Sequence, residues 1–386
     1  MKEQSDSKPT TGNRGEWSEL YAFFRLMGDH RLFPCDADLN EKHDYAPDIV
    51  EIHRGANEKL VYRYTGDGRW EIYTSGEKKG TVSSEESASE ADRLLACIQS
   101  GDCVGGFSVE GALKFLERLA DDKIKAKSGD KQDIVLKVHD LRAGGVPVKC
   151  GFSIKSYLGS APTLQNASAD CTNILYTVRG ISVEEARLIN DECDKFPKKR
   201  IKKLMSLLKE HGASIEFEKI CHRNFESNLI VVADSMPKLL GELLLVHYLS
   251  GESSVREVTE MTAARNPLQY PQGKSLYERR VKKLLEAFAL GMTPAGDWRG
   301  EENANGGFIV VRWDGKLLTY HLFDRTELDE YLYRYTKFDH PSSGKHRYGR
   351  LLVNEADGSI SLKLALQIRF ITPRKDGQSH SRTKTS

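Results

Sequence analysis

Two apolar segments that flank a glycine-containing turn constrain the fold of this 386-residue chain more than any other feature. Residues 134–138 and residues 148–155 each have the length and the branched or aromatic content of a β-strand. The stretch between them is polar and contains Gly144 and Gly145, which accept the positive φ angles of tight turns. The sequence therefore predicts an antiparallel hairpin that turns near residue 144.

The open end of this predicted hairpin carries a carboxylate and an ammonium group. If the chain turns near residue 144, Asp133 falls opposite Ser153 or Lys155, and the two-residue period of a strand places all three on one face. A metal-dependent phosphodiesterase needs such a pair, because the carboxylate holds a divalent ion and the lysine holds the phosphate. A structural salt bridge is the alternative interpretation.

Composition limits the classes of protein to which the chain can belong. With 57 Lys+Arg against 56 Asp+Glu, overall charge neither favours nor excludes a polyanionic partner. Seven cysteines without a paired CxxC motif argue against structural zinc and a disulfide framework. The sequence contains neither an apolar run of about 20 residues nor a signal peptide, so we expect a soluble, cytoplasmic protein with no membrane segment.

The chain divides into five predicted regions of an α/β protein. They are a disordered tail (1–12), a helical and strand region (13–125), a core with the metal site (126–260), a strand-rich recognition region (261–373) and a disordered basic tail (374–386).

The candidate metal ligands are hard oxygen donors. Mg²⁺ keeps several waters and needs only one or two carboxylates. Asp133 is the predicted anchor, Glu16 at the core edge of the first helix is a second ligand, and the carbonyl of Ile154 is a third. Lys155 would stabilise the charge that develops on the phosphate. Asp170 is an alternative source of the second carboxylate.

Two loops combine side chains that suit contacts with bases and phosphates. Amide side chains pair with adenine edges and cations pair with guanine, whereas an ordinary turn is the alternative interpretation. The candidate DNA-binding residues are Gln165, Asn166, Ser168, Lys345, His346 and Arg347. The basic segment 198–203 is a further candidate for phosphate contact, or a solvated helix face.

Ordered segments along most of the chain resemble the HpaII-type type II restriction endonucleases. The segments are GEWSELY at 15–21, 36–40, FSIKS at 152–156, 158–160, 162–164, 166–168, 172–173, 306–308, 320–321, 336–338 and 366–370. The resemblance implies a restriction-endonuclease-like core, a mixed sheet flanked by helices, with the signature PD-(D/E)XK. It places Asp133 as the first acid of that signature and Lys155 as its lysine.

The same resemblance implies a prokaryotic, Mg²⁺-dependent enzyme that cleaves double-stranded DNA at a short palindrome, CCGG or a related site. A palindrome favours a homodimer, with successive binding by a monomer as the alternative. A cognate DNA methyltransferase is the implied cellular partner. The sequence departs from the signature at two positions, because Gln132 replaces the proline and Ser153 replaces the second acid.

Two other functions compete with cleavage. Ser153 in the acid position would suit a DNA-binding protein that has lost cleavage on the same scaffold. A scaffold protein with no nucleic-acid partner would suit the near-zero net charge. Salt-sensitive binding to duplex DNA distinguishes the first from the second.

Overall fold

The structure of the protein, a computed structural model, describes residues 11–54, 59–100, 106–124, 131–271 and 273–371. The predicted tail 374–386, and all but residues 11 and 12 of the tail 1–12, lie outside these ranges. No helix in the described ranges combines the length and hydropathy that crossing a membrane requires.

The strands are β1 (Asp48–Arg54), β2 (Leu60–Tyr64), β3 (Arg69–Thr74), β4 (Glu77–Ser83), β5 (Ile134–His139), β6 (Val148–Ser156), β7 (Thr163–Gln165), β8 (Asn173–Arg179), β9 (Ser214–Ile220), β10 (Gly307–Val311), β11 (Leu317–Tyr320), β12 (Thr336–Phe338), β13 (Leu351–Val353), β14 (Ile360–Ala365) and β15 (Ile368–Phe370). The helices are α1 (Arg14–Asp29), α2 (Ser84–Gln99), α3 (Glu110–Arg118), α4 (Val183–Asp194), α5 (Arg200–Glu210), α6 (Arg223–Val232), α7 (Met236–Ser250), α8 (Val255–Arg265), α9 (Lys274–Leu290), α10 (Arg325–Arg334) and α11 (Ser343–His346).

A mixed sheet of eight strands forms the centre, in the order β11-β10-β6-β5-β1-β2-β3-β4. Only β10 and β6 run parallel within it, and its other neighbours are antiparallel. Two smaller sheets, β12-β15-β7 and β13-β14-β8-β9, combine three strands from the middle of the chain with four from its C-terminal part. This architecture confirms the expected α/β class, with a mixed sheet flanked by helices and additional strands towards the C-terminus.

The hairpin predicted from the sequence is present as β5 and β6. Its register runs from Ile134 opposite Phe152 to Val138 opposite Val148. A 3₁₀ turn over Leu141–Ala143 reverses the chain, and Gly144 follows with a φ of 81°. A residue with a Cβ is strained at that φ, so glycine suits this corner.

The two faces of the central sheet belong to different cores. Phe152 and Ile154 of β6 pack in the core that contains Trp17 of α1. On β10, Phe308 and Val310 belong to the other core, which contains α9. Each fully buried phenylalanine contributes about 1.5–3 kcal/mol to folding. The parallel register sets Ser153 beside Phe308 and Lys155 beside Val310, so the candidate site lies on the face of this second core.

A pair of glycines allows β10 to enter the sheet between β6 and β11. Gly307 has a φ of 123°, and a Cβ at this position would lie 1.9 Å from the carbonyl oxygen of Tyr320. A Cβ on Gly306 would lie 2.7 Å from the ring of Phe152. Only glycine can occupy positions that neighbouring atoms approach this closely. Close packing therefore explains why the segment 306–308 begins with two glycines.

Several elements differ from those that the sequence predicts. The polar segment 83–90 belongs to α2, because Ser83 and Glu86 form a capping box at its start. Residues 360–370 form two strands, β14 and β15, which belong to different sheets. The region 261–373, predicted to be rich in strands, also contains the helices α9 and α10.

Candidate active site

The side chain of Asp133 reaches across the end of the hairpin to β6. Its Oδ2 accepts a 2.7 Å hydrogen bond from the backbone N–H of Ile154 and a longer one, 3.3 Å, from the hydroxyl of Ser153. The geometry confirms that the hairpin brings Asp133 to Ser153. It also shows that the carboxylate of Asp133 contacts a backbone N–H of β6, that of Ile154, as well as a side chain, that of Ser153.

Lys155 joins the same cluster from the other side of Ser153. Its Nζ lies 3.3 Å from Ser153 Oγ and 3.3 Å from the carbonyl oxygen of Ile154. A hydroxyl can donate one hydrogen bond and accept another, so Ser153 links the carboxylate of Asp133 to the ammonium group. These contacts are long, as catalytic hydrogen bonds often are before substrate binds.

The different lengths of the two strands create this arrangement. β5 begins at Ile134, opposite Phe152, whereas β6 continues to Ser156. Beyond Phe152 the edge of β6 that faces β5 has no partner strand, and a buried N–H without a partner is costly. Asp133 provides an acceptor for Ile154 in place of a backbone carbonyl. The carbonyl of Ile154 points to the same side, since both groups of one residue face one edge of a strand.

Lys131 is a second lysine at this site, and the sequence analysis did not identify it. It is half-buried at the entry to β5. Burial and the positive charge of Lys155 together lower the pKa of Lys131 to about 8, against the opposing effect of the negative charge of Asp133. At pH 7 the ammonium group therefore remains charged. A polar stretch precedes Lys131, so nothing in the sequence pattern distinguishes it from a surface loop lysine.

Glu16 occupies the first turn of α1, where it serves as a helix cap. Its carboxylate accepts a 2.8 Å hydrogen bond from the N–H of Asn13, and the Asn13 side chain accepts one from Glu16 in return. The same turn lies against the chain that leaves β6, because a Cβ on Gly159 would lie 2.7 Å from Arg14 Cδ. That Glu16 is the second acidic ligand stays a prediction.

The donor set suits a hydrated magnesium ion. Within the described ranges, no group of three or more histidine, cysteine, aspartate or glutamate residues could enclose a metal. Asp133 and the carbonyl of Ile154 offer two hard oxygens on one side, which fits an ion that retains most of its waters. A transition metal that needs several nitrogen or sulfur ligands does not fit this set.

The first predicted DNA-binding loop follows β7. Gln165 is buried, and its Nε2 donates to the backbone oxygen of Asn166 at 2.9 Å. Its Oε1 is buried and accepts no hydrogen bond. Asn166 is exposed, whereas Ser168 begins a turn in which its N–H donates to the hydroxyl of Thr172. Asn166 is therefore the most accessible of the three.

The second predicted loop lies directly beside the first. The guanidinium of Arg347 pairs with Asp170, and Asn173 Nδ2 donates a 3.0 Å hydrogen bond to the carbonyl of His346. Lys345 is exposed to solvent. The structure thus brings together the two loops that the sequence singled out separately. Asp170, the alternative second acid, pairs with a cation of this surface.

The basic segment 198–203 packs against the second predicted loop. Arg200 Nε donates to the carbonyl of Gly349 at 2.9 Å, and a Cβ on Gly349 would lie 2.0 Å from Ile201 Cδ1. Gly349 also has a φ of 75°. This part of α5 therefore positions the loop.

Comparisons with known proteins agree with the geometry. The sequence profile of the family described as HpaII restriction endonuclease matches residues 13–370. The type II restriction enzyme HpaII of Haemophilus parainfluenzae is 35% identical over 363 residues, which cover 94% of this chain and 99% of that enzyme. A search of solved structures finds no match.

Proposed function

The chain belongs to the HpaII restriction endonuclease family and is a type II site-specific deoxyribonuclease, and from that premise we propose where and how it cleaves. The substrate is double-stranded DNA with the palindrome CCGG or a related site. Hydrolysis requires Mg²⁺. Asp133, Lys155 and Glu16 carry the chemistry.

One observation supports this proposal more than any other, namely that Asp133, the Ile154 carbonyl and Lys155 converge at the end of β5. The carboxylate lies 2.7 Å from the Ile154 nitrogen, and the lysine lies 3.3 Å from the Ile154 oxygen. A metal ligand and a phosphate-binding cation on the same short segment can address one phosphate together.

Each residue has a distinct part in the proposed reaction. Asp133 and the Ile154 carbonyl would hold Mg²⁺, with Glu16 as a further ligand through the oxygen that does not cap α1. Bound there, the ion supplies Lewis acidity and an activated water. Lys155 binds a non-bridging oxygen of the scissile phosphate and stabilises its growing negative charge. Ser153 positions both charged groups through its hydroxyl.

The loops at Asn166 and Arg347 are the proposed recognition surface. Arg347 and Lys345 can donate to the O6 and N7 atoms of guanine, as expected for a site of G·C pairs. Asn166 and Ser168 can contact phosphates or base edges, and Gln165 and His346 hold the two loops in place. Arg347 must leave Asp170 to reach a base, which costs little because both side chains are largely exposed.

The symmetry of the substrate suggests the assembly. Cutting both strands of a palindrome at once requires two sites related by a two-fold axis, which a homodimer provides. We propose a cytoplasmic prokaryotic enzyme whose host also has a methyltransferase that modifies the same sequence.

The test uses the purified protein and two plasmids that differ only in whether they contain CCGG. With Mg²⁺ we expect defined fragments from the first plasmid alone, and none when a chelator removes the metal. Sequencing the fragment ends gives the site and cut position. Salt-sensitive binding without nicking in Mg²⁺ would instead establish a non-cleaving DNA-binding protein, and fragments with random ends would refute site specificity.

A further inference from the structure

One small sheet carries both proposed recognition loops. In the sheet β12-β15-β7, which we call the recognition sheet, β15 lies in the middle and pairs with β7 on one side and with β12 on the other. The first loop begins at Asn166, directly after β7. The second loop begins at Asp339, directly after β12, and the N–H of Asp339 donates a 3.0 Å hydrogen bond to the carbonyl of Gln367. The position of β15 therefore sets where both loops begin.

The chain that leaves β6 passes beside this sheet. Tyr157 lies two residues beyond Lys155, and its N–H donates a 2.8 Å hydrogen bond to the carbonyl of Val311 on β10. The two-residue period of a strand places the Tyr157 side chain on the same face as Lys155. That side chain is buried in the core that contains α9. The position of the Tyr157 ring is therefore tied to that of Lys155 by a short stretch of hydrogen-bonded backbone.

Two hydroxyl groups in series join Tyr157 to the end of β15. The hydroxyl oxygens of Tyr157 and of Tyr331 on α10 lie 2.7 Å apart, and the Tyr157 oxygen lies 3.4 Å from the carbonyl oxygen of Ile371, the residue after β15. A hydroxyl donates only one hydrogen, so Tyr331 donates to Tyr157 and Tyr157 donates to Ile371. Both rings also contact Phe370, with centroid distances of 5.7 Å for Tyr331 and 6.4 Å for Tyr157. Because a buried hydroxyl without a partner is costly, this pair favours one geometry.

Other contacts attach the recognition sheet to the chain between β6 and β7. The N–H of Phe370 donates to the carbonyl of Pro162 at 2.9 Å, and the guanidinium of Arg369 donates to the carbonyl of Ala161 at 2.9 Å. These contacts remain when a tyrosine of the pair is replaced by phenylalanine. Loss of a tyrosine hydroxyl should therefore leave the sheet attached and the DNA bound.

We infer that the hydrogen bond between Tyr157 and Tyr331 positions Lys155 relative to the recognition sheet, so that cleavage requires both loops to seat correctly on the DNA. This inference rests on the proposed function, since it takes Lys155 as the catalytic lysine and the two loops as the recognition surface. A wrong base pair displaces a loop and with it β15, and the two hydroxyls transmit the displacement to β6. Misplacement of a catalytic group by about 1 Å can lower a rate by about 10²-fold. The two tyrosines are positioning residues, because they act through Lys155.

The test compares cleavage of two duplexes, one with CCGG and one with a single altered base pair. Tyr157→Phe and Tyr331→Phe each remove a hydroxyl and keep the ring. We expect single-turnover cleavage of the CCGG duplex to fall about tenfold in either variant, while its binding in a chelating buffer stays near the wild-type value. Cleavage of the altered duplex, which the link does not assist, should stay at the wild-type rate. Discrimination at the chemical step then falls by the same factor.

Three results of this comparison would overturn the inference. Equal losses on both duplexes would show that the hydroxyls support Lys155 without linking it to recognition. Unchanged cleavage of the CCGG duplex would show that they do not position the lysine. Weaker binding that accounts for the whole loss would place their effect in the loops alone.

A double variant tests whether the two tyrosines act through their shared bond. Tyr157→Phe already removes both hydrogen bonds of the series. Combining it with Tyr331→Phe should therefore lower the cleavage rate no further than Tyr157→Phe alone. Losses that multiply would assign independent effects to the two hydroxyls and contradict the inference.

Tyr320→Phe is the matched control. The ring of Tyr320 stacks on Tyr331 at 5.2 Å, but its hydroxyl donates at 3.0 Å to the carbonyl of Asp36, which belongs to neither β6 nor β15. The substitution removes a buried hydroxyl from the same aromatic cluster, so cleavage of both duplexes should match the wild type. All reactions are run below the lowest melting temperature of the set. An equal loss of discrimination in Tyr320→Phe and Tyr331→Phe would show a general loosening of the cluster and overturn the inference.

The behaviour of the wild type separates this inference from the proposed function. If the wild type cuts CCGG and the phenylalanine variants behave like it, only the inference fails. If the wild type neither binds nor cuts CCGG, the proposed function fails and the inference fails with it.

Discussion

Charged side chains occupy both ends of the β5–β6 hairpin, but only at the turn do they form ion pairs with one another. At the turn, Asp140 accepts from the N–H and side chain of Arg142, and Arg142 also approaches Asp324 at 3.6 Å. Lys42 lies 3.8 Å from Asp324, and the Arg142 guanidinium stacks 3.4 Å above the ring of Tyr45. Glu327 lies closer to Lys42, at 3.1 Å, so two cations have three carboxylate partners here, and the aromatic ring adds a cation–π contact.

At the open end, Lys155 makes two long hydrogen bonds, both of 3.3 Å, and neither of them goes to a carboxylate. The same pair of strands therefore carries a satisfied network at one end and an unsatisfied one at the other. Buried charges that stabilise a fold are paired, whereas charges kept for a ligand lack partners until the ligand arrives. The difference predicts that substitutions at the open end change function and that substitutions at the turn change stability.

The largest expected effect belongs to Lys155. Lys155→Ala removes the cation that stabilises the transition state, so the single-turnover cleavage rate should fall by about 10³-fold or more, roughly 4 kcal/mol. The free energy of unfolding in urea should change by less than about 0.5 kcal/mol, because this lysine has no strong partner. A variant that unfolds easily, or that cleaves normally, would remove the contrast between the two ends.

Asp140→Ala is the reciprocal change at the turn. It removes a buried carboxylate that pairs with the guanidinium of Arg142, and it removes the cap of the 3₁₀ turn. We expect a loss of about 2–3 kcal/mol in the free energy of unfolding. The single-turnover rate of the folded variant should equal that of the wild type. Unchanged stability with reduced cleavage would place the turn in the active site.

The recognition loop offers two arginines for a test of intermediate size. Arg347→Ala should reduce discrimination between CCGG and a duplex with one altered base pair by about 1–3 kcal/mol. Arg350 lies in the same loop as Arg347 and pairs with Asp194 of α4 at 2.9 Å. Arg350→Ala removes the same charge and is therefore the matched control. Binding constants for both duplexes at one salt concentration provide the measurement. Equal losses in the two variants would indicate only general attraction to phosphate.

The smallest effect concerns pH at the turn. The pKa of His321 is lowered, mainly because the imidazole is buried. The hydrogen bond to the carbonyl of Gly306 and the charge of Asp140 oppose this shift, and the charge of Arg142 adds to it. The folded protein therefore binds fewer protons at this histidine than the unfolded chain does. The stability that the neutral histidine contributes is fully present above its unfolded-state pKa, near 6.5. It is lost as the pH drops towards the pKa in the folded protein.

His321→Gln should abolish this part of the acid sensitivity. Between pH 7 and pH 5.5 the wild type should lose up to about 1 kcal/mol more stability than the variant, as measured by urea unfolding at each pH. Parallel pH profiles for the two proteins would show that the histidine is not coupled to the turn network in this way.

The sequence predicts the hairpin well because local features determine it. The two-residue period fixes the face, and Gly144 fixes the corner, so Asp133 must meet β6 near Ser153. The role of the Ile154 N–H as the partner of Asp133 does not follow from the pattern, since it depends on where β5 begins. Just before that start, Gln132 packs against Gly151 of β6, a contact between residues far apart in the sequence.

The features that the sequence analysis missed depend on long-range packing. Lys131 looks like a loop residue until burial and Lys155 give it a low pKa. The meeting of the loops around Asn166 and Arg347 depends on Asp170 and Asn173, which bond to residues far away in the chain. The resemblance implied a shared function without showing this contact.

Asp133→Asn provides the most direct test of the active site. The substitution keeps the size of the side chain but removes its negative charge, and with it the proposed ligand for Mg²⁺. Single-turnover cleavage of a CCGG duplex is measured over a wide range of Mg²⁺ concentrations, with binding to the same duplex as the control for folding. We expect Asp133→Asn to bind the duplex as tightly as the wild type or more tightly, and to cleave it at no Mg²⁺ concentration. Cleavage at the wild-type rate would contradict it.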